Sequence, residues 1–220
     1  MIPGIGELHG VVLAGGKSTR MGRDKAGMVF QGQDLVKRAV KVLEHFCSGV
    51  WISGRNARDH GLENPWFLDD APGEGPLRGI LTALEHIGGP CMFLPCDLPL
   101  MDAPTAAQLV DTHGGRSPAI LRTDFVQQET GFIEALVAIY DPGCIPYIKE
   151  ALERSRYKVA RAVPDARCIH VPYFLSNSRP FLNVNYPEDL ELLEQAVDEF
   201  CILPKVKKPR FKAAKKGRPA

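Results

Sequence analysis

Residues 9–25 read HGVVLAGGKSTRMGRDK, an apolar run that passes directly into a glycine pair and then into a loop rich in cations. The run from His9 to Leu13 predicts a short buried strand, which the Ala-Gly-Gly of residues 14–16 ends. Paired glycines let the backbone turn sharply and bring its N–H groups close to phosphate oxygens. This stretch therefore favours an open α/β sheet, in which a strand followed by such a loop is typical of phosphate sites.

The loop also concentrates positive charge, with Lys17, Arg20, Arg23 and Lys25 within nine residues of one another. Arginine can hold two phosphate oxygens at once and lysine acts as a point charge, a combination that suits a triphosphate and a departing pyrophosphate. The loop is neither a Walker A motif nor a GxGxxG fingerprint. An ordinary glycine turn with solvated charges is the alternative; it explains a bare glycine pair better than the whole string.

Further along the chain, short apolar runs alternate with segments in which apolar residues recur every three or four positions, as in a helix. They predict strands at 50–53, 66–68, 91–95, 119–121, 132–140 and 168–171, and helices at 34–46, at 77–87, after Pro104, at 146–152 and at 187–200. Because the strands are continuously apolar, we expect a mainly parallel sheet covered by helices on both faces, a three-layer, Rossmann-like α/β fold. We expect one domain over 1–204.

Carboxylates follow two of these strands. Asp97 lies in LPCDLP, at the end of a buried strand and between two prolines, which suits a Mg²⁺ ligand because Mg²⁺ takes one or two carboxylates plus water and phosphate oxygens. A cap for the helix near Pro104 is the alternative, but that helix starts too far downstream. Asp69 follows the third strand and would accept hydrogen bonds from a nucleotide; a plain turn is its alternative. Cys96 is predicted to be buried packing rather than a nucleophile, because no histidine partner is evident.

Composition excludes several classes of protein. The chain has 220 residues, 45% hydrophobic and 24% charged, as in globular proteins, and no apolar run approaches a membrane span. The six cysteines form no CxxC pair and the six histidines are dispersed, which disfavours zinc, disulfides and a catalytic triad. The first residues lack the pattern of a signal peptide, so we expect a cytoplasmic protein.

The net charge of +1 hides an asymmetry between the body of the chain and its end. Residues 205–220 contain eight Lys or Arg and no acidic residue, so residues 1–204 hold 19 basic against 26 acidic residues, a charge of −7. We expect this basic tail to be disordered and solvated. A basic extension without a binding role is preferred to a nucleic-acid-binding arm. A protein partner that is acidic or delivers the cofactor remains an alternative for the tail.

Four blocks, LAGGKSTRMGRDK, DDAPGEGPLRGI, FLPCDLPLM and NVNYPEDL, resemble those of the molybdenum cofactor guanylyltransferases in order and separation. The resemblance runs from Gly10 to Leu193. The first block is shared with sugar-nucleotide and isoprenoid-pathway cytidylyltransferases. The later blocks favour the molybdenum cofactor guanylyltransferases over those relatives. One departure is that the family places an Asn after the second strand, where this chain has Ser53.

The resemblance implies a nucleotidyltransferase fold and a role for individual residues. Leu13, Ala14, Gly15 and Gly16 would bind the nucleotide, and Lys25 its phosphates. Asp69 would bind the nucleotide, Asp97 both nucleotide and Mg²⁺, and Arg20 the leaving phosphates, while Asn183 and Asn185 would lie near the acceptor.

The implied reaction transfers GMP from GTP to the molybdopterin cofactor carrying molybdenum, with release of pyrophosphate. Lys25, Arg20 and Asp97 would be its catalytic residues. Cytidylyl transfer to the same cofactor and nucleotidyl transfer to another phosphorylated acceptor are alternatives. A non-catalytic nucleotide-binding protein is a third, which the joint presence of Asp97 and Lys25 disfavours.

Overall fold

The computed structural model describes residues 7–15, 25–68 and 74–202. Its strands are β1 (His9–Leu13), β2 (Val29–Phe30), β3 (Gln33–Asp34), β4 (Val50–Ser53), β5 (Trp66–Phe67), β6 (Cys91–Pro95), β7 (Arg122–Gln127), β8 (Ile133–Tyr140) and β9 (Cys168–Tyr173). Its α-helices are α1 (Leu35–Glu44), α2 (Pro76–Ile87), α3 (Ala103–Gly114), α4 (Ile145–Glu153) and α5 (Pro187–Ile202).

Seven strands form the central sheet, in the order β5-β4-β1-β6-β8-β7-β9, and β2 pairs with β3 in a small hairpin. Strands β5, β4, β1 and β6 are mutually parallel, β8 is antiparallel to both of its neighbours, and β7 is parallel to β9. All strands of the central sheet except β8 therefore run in one direction, and their carboxyl ends share one edge of the sheet. The expected mainly parallel sheet is confirmed.

Helices cover both faces of the sheet, as expected. Alternate side chains of β1 point into different layers: Val12 packs with α1 and α3, and Val11 packs with α2 and α4. The same division holds in β6, where Leu94 faces the first layer and Phe93 the second. Both layers consist of buried apolar side chains. Because such cores are closely packed, the sheet is a rigid base for the loops at its edge.

A third, smaller cluster joins elements outside the main layers. Phe30 of β2, Leu35 at the start of α1, Val184 and Leu190 of α5 are buried together. This cluster fixes residues 182–186 and the start of α5 against the hairpin that follows the glycine-rich loop.

The strand predicted at 119–121 is wrong. Those residues form a turn and its exit, and the strand is β7, at Arg122–Gln127. Its sequence, RTDFVQ, is mostly polar, yet nearly every side chain is buried, so hydrophobic periodicity could not detect it. The other predicted strands and helices are confirmed, with ends that shift by a few residues.

The boundary between domain and tail stays a prediction, because residues 203–220 lie outside the described residues. Among the described helices, none combines the length and the apolar character needed to cross a bilayer.

Candidate active site

The candidate site begins where β1, β4 and β6 end side by side. The Ala14 N–H donates to the Ser53 carbonyl at 3.0 Å, and the Cys96 N–H donates to the Leu13 carbonyl at 3.2 Å. The parallel ladders thus continue past the strands into the loops. They place residues 13–15 between the end of β4 and the turn that carries Asp97.

Asp97 is half-buried and lies two residues beyond β6. Its backbone carbonyl accepts a hydrogen bond from the Val184 N–H at 2.9 Å. The carboxylate does not cap α3, because Asp102 does so by accepting from the Thr105 N–H at 2.8 Å. The capping alternative for Asp97 is therefore wrong, and its carboxylate stands at the edge where β1 and β6 end.

Residues 183–185 lie beside this turn. Val184 is buried, whereas Asn183 and Asn185 on either side of it are exposed. The Asp189 carboxylate accepts hydrogen bonds from the N–H groups of Asn185 and Tyr186, both at 2.8 Å, and so fixes the entry into α5. An open cavity of about 460 Å³ is lined by Leu182, Asn183, Val184, Asn185, Tyr186, Asp189, Leu192 and Leu193.

Several predicted site residues lie outside the described part of the chain. Gly16, Arg20 and Asp69 belong to this group, and for Lys25 only the backbone is described, as the first residue of the 3-10 helix Lys25–Gly27. Among the predicted site residues that the structure describes, Leu13 is paired with Pro95 and accepts from the Cys96 N–H, so it lies beside the turn that carries Asp97. Ala14 and Gly15 follow Leu13 directly in the chain. Asn183 and Asn185 meet Asp97 through Val184.

Two arginines that the motifs did not single out contact the backbone of this edge. Arg55 Nε donates to the Ala14 carbonyl at 2.6 Å, and Arg38 Nε donates to the Pro99 carbonyl at 3.0 Å. Both contacts join residues far apart in sequence and end on a main-chain oxygen. Residue type and spacing carry no signal for such contacts, because only folding brings the main-chain oxygens near the arginines.

An aromatic cluster lies at the other side of the sheet, where it joins β7 and β9 to the segment before Asn183. Tyr173 stacks on Phe181 with ring centroids 4.1 Å apart, and Phe125 packs edge-on against both. The Tyr173 hydroxyl donates to Glu134 Oε1 at 2.7 Å. Burial raises the pKa of Glu134, although that hydrogen bond opposes the shift. The cluster anchors the chain just before Asn183.

Five cysteines are free thiols, of which three are buried (Cys91, Cys96 and Cys144) and two are partly buried (Cys47 and Cys168). Burial raises the pKa of Cys47 and of Cys144 to about 12, and that of Cys168 to about 11. Thiols with such pKa values are protonated near neutral pH and are poor nucleophiles. The expectation of packing thiols without disulfides is confirmed for these residues.

Comparison with known proteins gives the family. Residues 10–180 match the MobA-like NTP transferase domain. A protein of Pelotomaculum thermopropionicum named "Probable molybdenum cofactor guanylyltransferase" is 32% identical over 191 residues, which cover 82% of this chain and 89% of that protein. A molybdenum cofactor biosynthesis bifunctional protein of Synechocystis is 31% identical over 186 residues, 83% of this chain but only 52% of the relative.

A solved structure supports the fold independently. The molybdopterin-guanine dinucleotide biosynthesis protein A of Archaeoglobus fulgidus superposes with a TM-score of 0.66 at 20% identity, over 87% of this chain and 99% of that one. The family match covers both the glycine-rich loop and the Asp97 turn, whose strands the structure places side by side. The chain therefore belongs to the MobA-like NTP transferase family.

Proposed function

We propose that the protein transfers GMP from GTP to the terminal phosphate of molybdopterin carrying molybdenum, forming molybdopterin guanine dinucleotide and pyrophosphate. The observation that carries the proposal is the hydrogen bond from the Val184 N–H to the Asp97 carbonyl. It joins the turn beside the nucleotide loop to residues 183–185, so that nucleotide and acceptor can meet at one place. The relatives named as guanylyltransferases support the choice of substrates.

The donor set fits Mg²⁺ as the cofactor. No cluster of three metal-binding side chains occurs in residues 7–15, 25–68 and 74–202, so these residues offer no all-protein cage. Mg²⁺ does not need one, because it retains waters and takes substrate phosphate oxygens alongside one or two carboxylates. The half-buried carboxylate of Asp97 is its proposed ligand, and bound there the ion would polarise the α-phosphate of GTP.

The reaction needs little covalent chemistry from the protein. An oxygen of the acceptor phosphate attacks the α-phosphorus, the bond from that phosphorus to the bridging oxygen breaks, and pyrophosphate leaves with the electron pair. No general base is required, since the attacking phosphate is already an anion. Lys25 and Arg20 would neutralise the departing charge, and residues 13–15 would hold the nucleotide, so catalysis rests on positioning and electrostatics.

The test measures pyrophosphate release with Mg²⁺ and either GTP or CTP, each with and without molybdenum-loaded molybdopterin. We expect release with GTP only, and only when the pterin is present. Pyrophosphate release with CTP instead of GTP would overturn guanylyl transfer. Release without the pterin would overturn the assignment of molybdopterin as the acceptor. GTP binding without release under any condition would favour a non-catalytic binding protein.

Asp97→Asn tests the metal ligand in the same assay. Removing a charge that acts on the transferred phosphate should lower kcat by about a hundredfold or more. Asp102→Asn is the matched control, because Asp102 is exposed, lies in the same loop and retains its helix cap as an amide. Equal activity of the two variants would remove Asp97 from the mechanism.

A further inference from the structure

The turn from Cys96 to Pro99 is held in place by elements from three parts of the chain. The Cys96 N–H bonds to β1 through the Leu13 carbonyl, and the Asp97 carbonyl bonds to the Val184 N–H. The third contact is the only one of these made by a side chain: Arg38 of α1 donates from Nε to the Pro99 carbonyl at 3.0 Å.

Arg38 also contacts the chain that leaves the glycine-rich loop. Its guanidinium carbon lies 5.0 Å from the centroid of the Phe30 ring, in cation–π geometry. Phe30 is fully buried in the cluster with Val184, and β2 follows the 3-10 helix that begins at Lys25 by only a few residues. One half-buried side chain therefore contacts both the Asp97 turn and the segment that follows Lys25.

We propose that Arg38 is a positioning residue that holds the Asp97 turn in place relative to the segment that follows Lys25. This inference rests on the proposed function of Asp97 as the Mg²⁺ ligand. A planar guanidinium can donate from Nε in its plane while its face lies over an aromatic ring, which a lysine ammonium cannot do. Loss of this contact frees the Pro99 end of the turn and lets the Asp97 carboxylate move relative to the triphosphate.

The test measures binding of Mn²⁺, used as a spectroscopic substitute for Mg²⁺, by electron paramagnetic resonance in the presence of a non-hydrolysable GTP analogue. Groups that orient a metal ligand typically change metal affinity about 10–100-fold when replaced. We expect Arg38→Met, which keeps an apolar stem against Phe30, to weaken Mn²⁺ binding about tenfold. Arg38→Lys should give an intermediate loss, because it keeps the charge but not the paired geometry.

Two further measurements separate positioning from a general structural effect. Binding of the GTP analogue in EDTA and the thermal midpoint should stay near wild type in Arg38→Lys. Lys37→Met is the matched control: it removes the adjacent cation of α1, whose ion pair with Asp34 lies at the surface, and should leave Mn²⁺ binding unchanged.

Three outcomes would overturn the assignment or its premise. If both Arg38 variants bind Mn²⁺ as Lys37→Met does, Arg38 does not position the turn. A parallel loss of metal-free nucleotide binding, metal binding and thermal midpoint would show a merely structural role. Wild-type Mn²⁺ affinity in Asp97→Ala would instead show that the proposed metal ligand is wrong, whatever Arg38 does.

Discussion

At the scale of single residues, Arg55 is the clearest example of a site residue that motifs do not reveal. Its Nε donates to the Ala14 carbonyl at 2.6 Å, which joins the second residue after β4 to the start of the glycine-rich loop across 41 positions of sequence. The sequence predicts Asp97 from its position after an apolar strand, and the family resemblance implies Leu13 and Ala14. It could not predict Arg55 or Arg38, because their acceptors are backbone carbonyls that only the folded chain brings near.

We expect Arg55→Met to weaken GTP binding about tenfold, because the variant loses a charge-assisted hydrogen bond that fixes the Ala14 carbonyl beside the proposed nucleotide site. Isothermal titration with GTP measures this. Arg58→Met provides the control, since Arg58 is exposed in the next turn and should leave affinity unchanged. Unchanged affinity in Arg55→Met would mean that the loop is ordered without this contact.

His113 makes stability depend on pH. It is completely buried, with Nδ1 2.8 Å from the Thr123 hydroxyl oxygen. Burial lowers its pKa from the ordinary 6.5, although the nearby Asp141 carboxylate, with Oδ2 3.6 Å from Nε2, opposes the shift. The unfolded chain therefore binds a proton at higher pH than the native one does. Stability from this group is present above about pH 6.5 and is lost as the pH falls through the native pKa.

We expect His113→Asn to flatten this dependence. Between pH 7 and pH 5, the slope of the unfolding free energy against pH should fall by up to about 1.4 kcal/mol per pH unit relative to wild type. Urea unfolding at a series of pH values gives the slope. The exposed His45→Asn should retain the wild-type slope, and an equally steep slope in His113→Asn would assign the effect elsewhere.

At the scale of elements, β7 shows how a buried charge network replaces apolar patterning. Arg122 Nε lies 2.6 Å from Asp124 Oδ2 with both side chains fully buried, and Asp124 Oδ1 lies 2.5 Å from His170 Nδ1 of β9. Arg122 also donates to the Ala160 carbonyl at 3.2 Å. Charged groups thus pair with one another in the interior of the fold, where apolar side chains are usual. In the sequence, β7 therefore has the polar composition of a loop. The strand was wrongly predicted at residues 119–121 because these neighbouring residues are apolar.

Breaking this pair should be costly. Arg122→Met leaves the Asp124 carboxylate buried without its main partner, and we expect a loss of about 3 kcal/mol in the free energy of unfolding. Arg122→Met with Asp124→Leu removes both charges and should recover much of that loss. Urea unfolding of the single and double variants measures both values. A double variant less stable than Arg122→Met would contradict this account.

At the scale of the whole molecule, sequence reasoning predicted the architecture well because continuous apolar strands and amphipathic helices dominate the chain. It did not predict that β8 runs antiparallel to its neighbours β6 and β7. Through β8, strands β7 and β9 join the sheet that also contains β1, β4 and β6. Strand direction depends on which elements pack together, and local periodicity contains no such information. The single domain over 1–204 and the basic tail stay predictions.

We expect a chain ending at Pro204 to unfold in one cooperative transition, with a free energy of unfolding within about 0.5 kcal/mol of the full chain. The reason is that residues 205–220 hold little apolar surface to bury. Urea unfolding followed by both fluorescence and circular dichroism measures this. Two separate transitions, or a large loss of stability, would contradict the single-domain prediction.

The hydrogen bond between Val184 and Asp97 has a consequence for the order of events during protein synthesis. The ribosome produces β1, β4 and β6 well before residues 183–185 leave the exit tunnel. A nascent chain can therefore contain the residues proposed to bind GTP while the Asp97 carbonyl still lacks its partner and residues 183–185 are not yet made. Under the proposed function, we expect the growing polypeptide to gain its GTP site before its acceptor site.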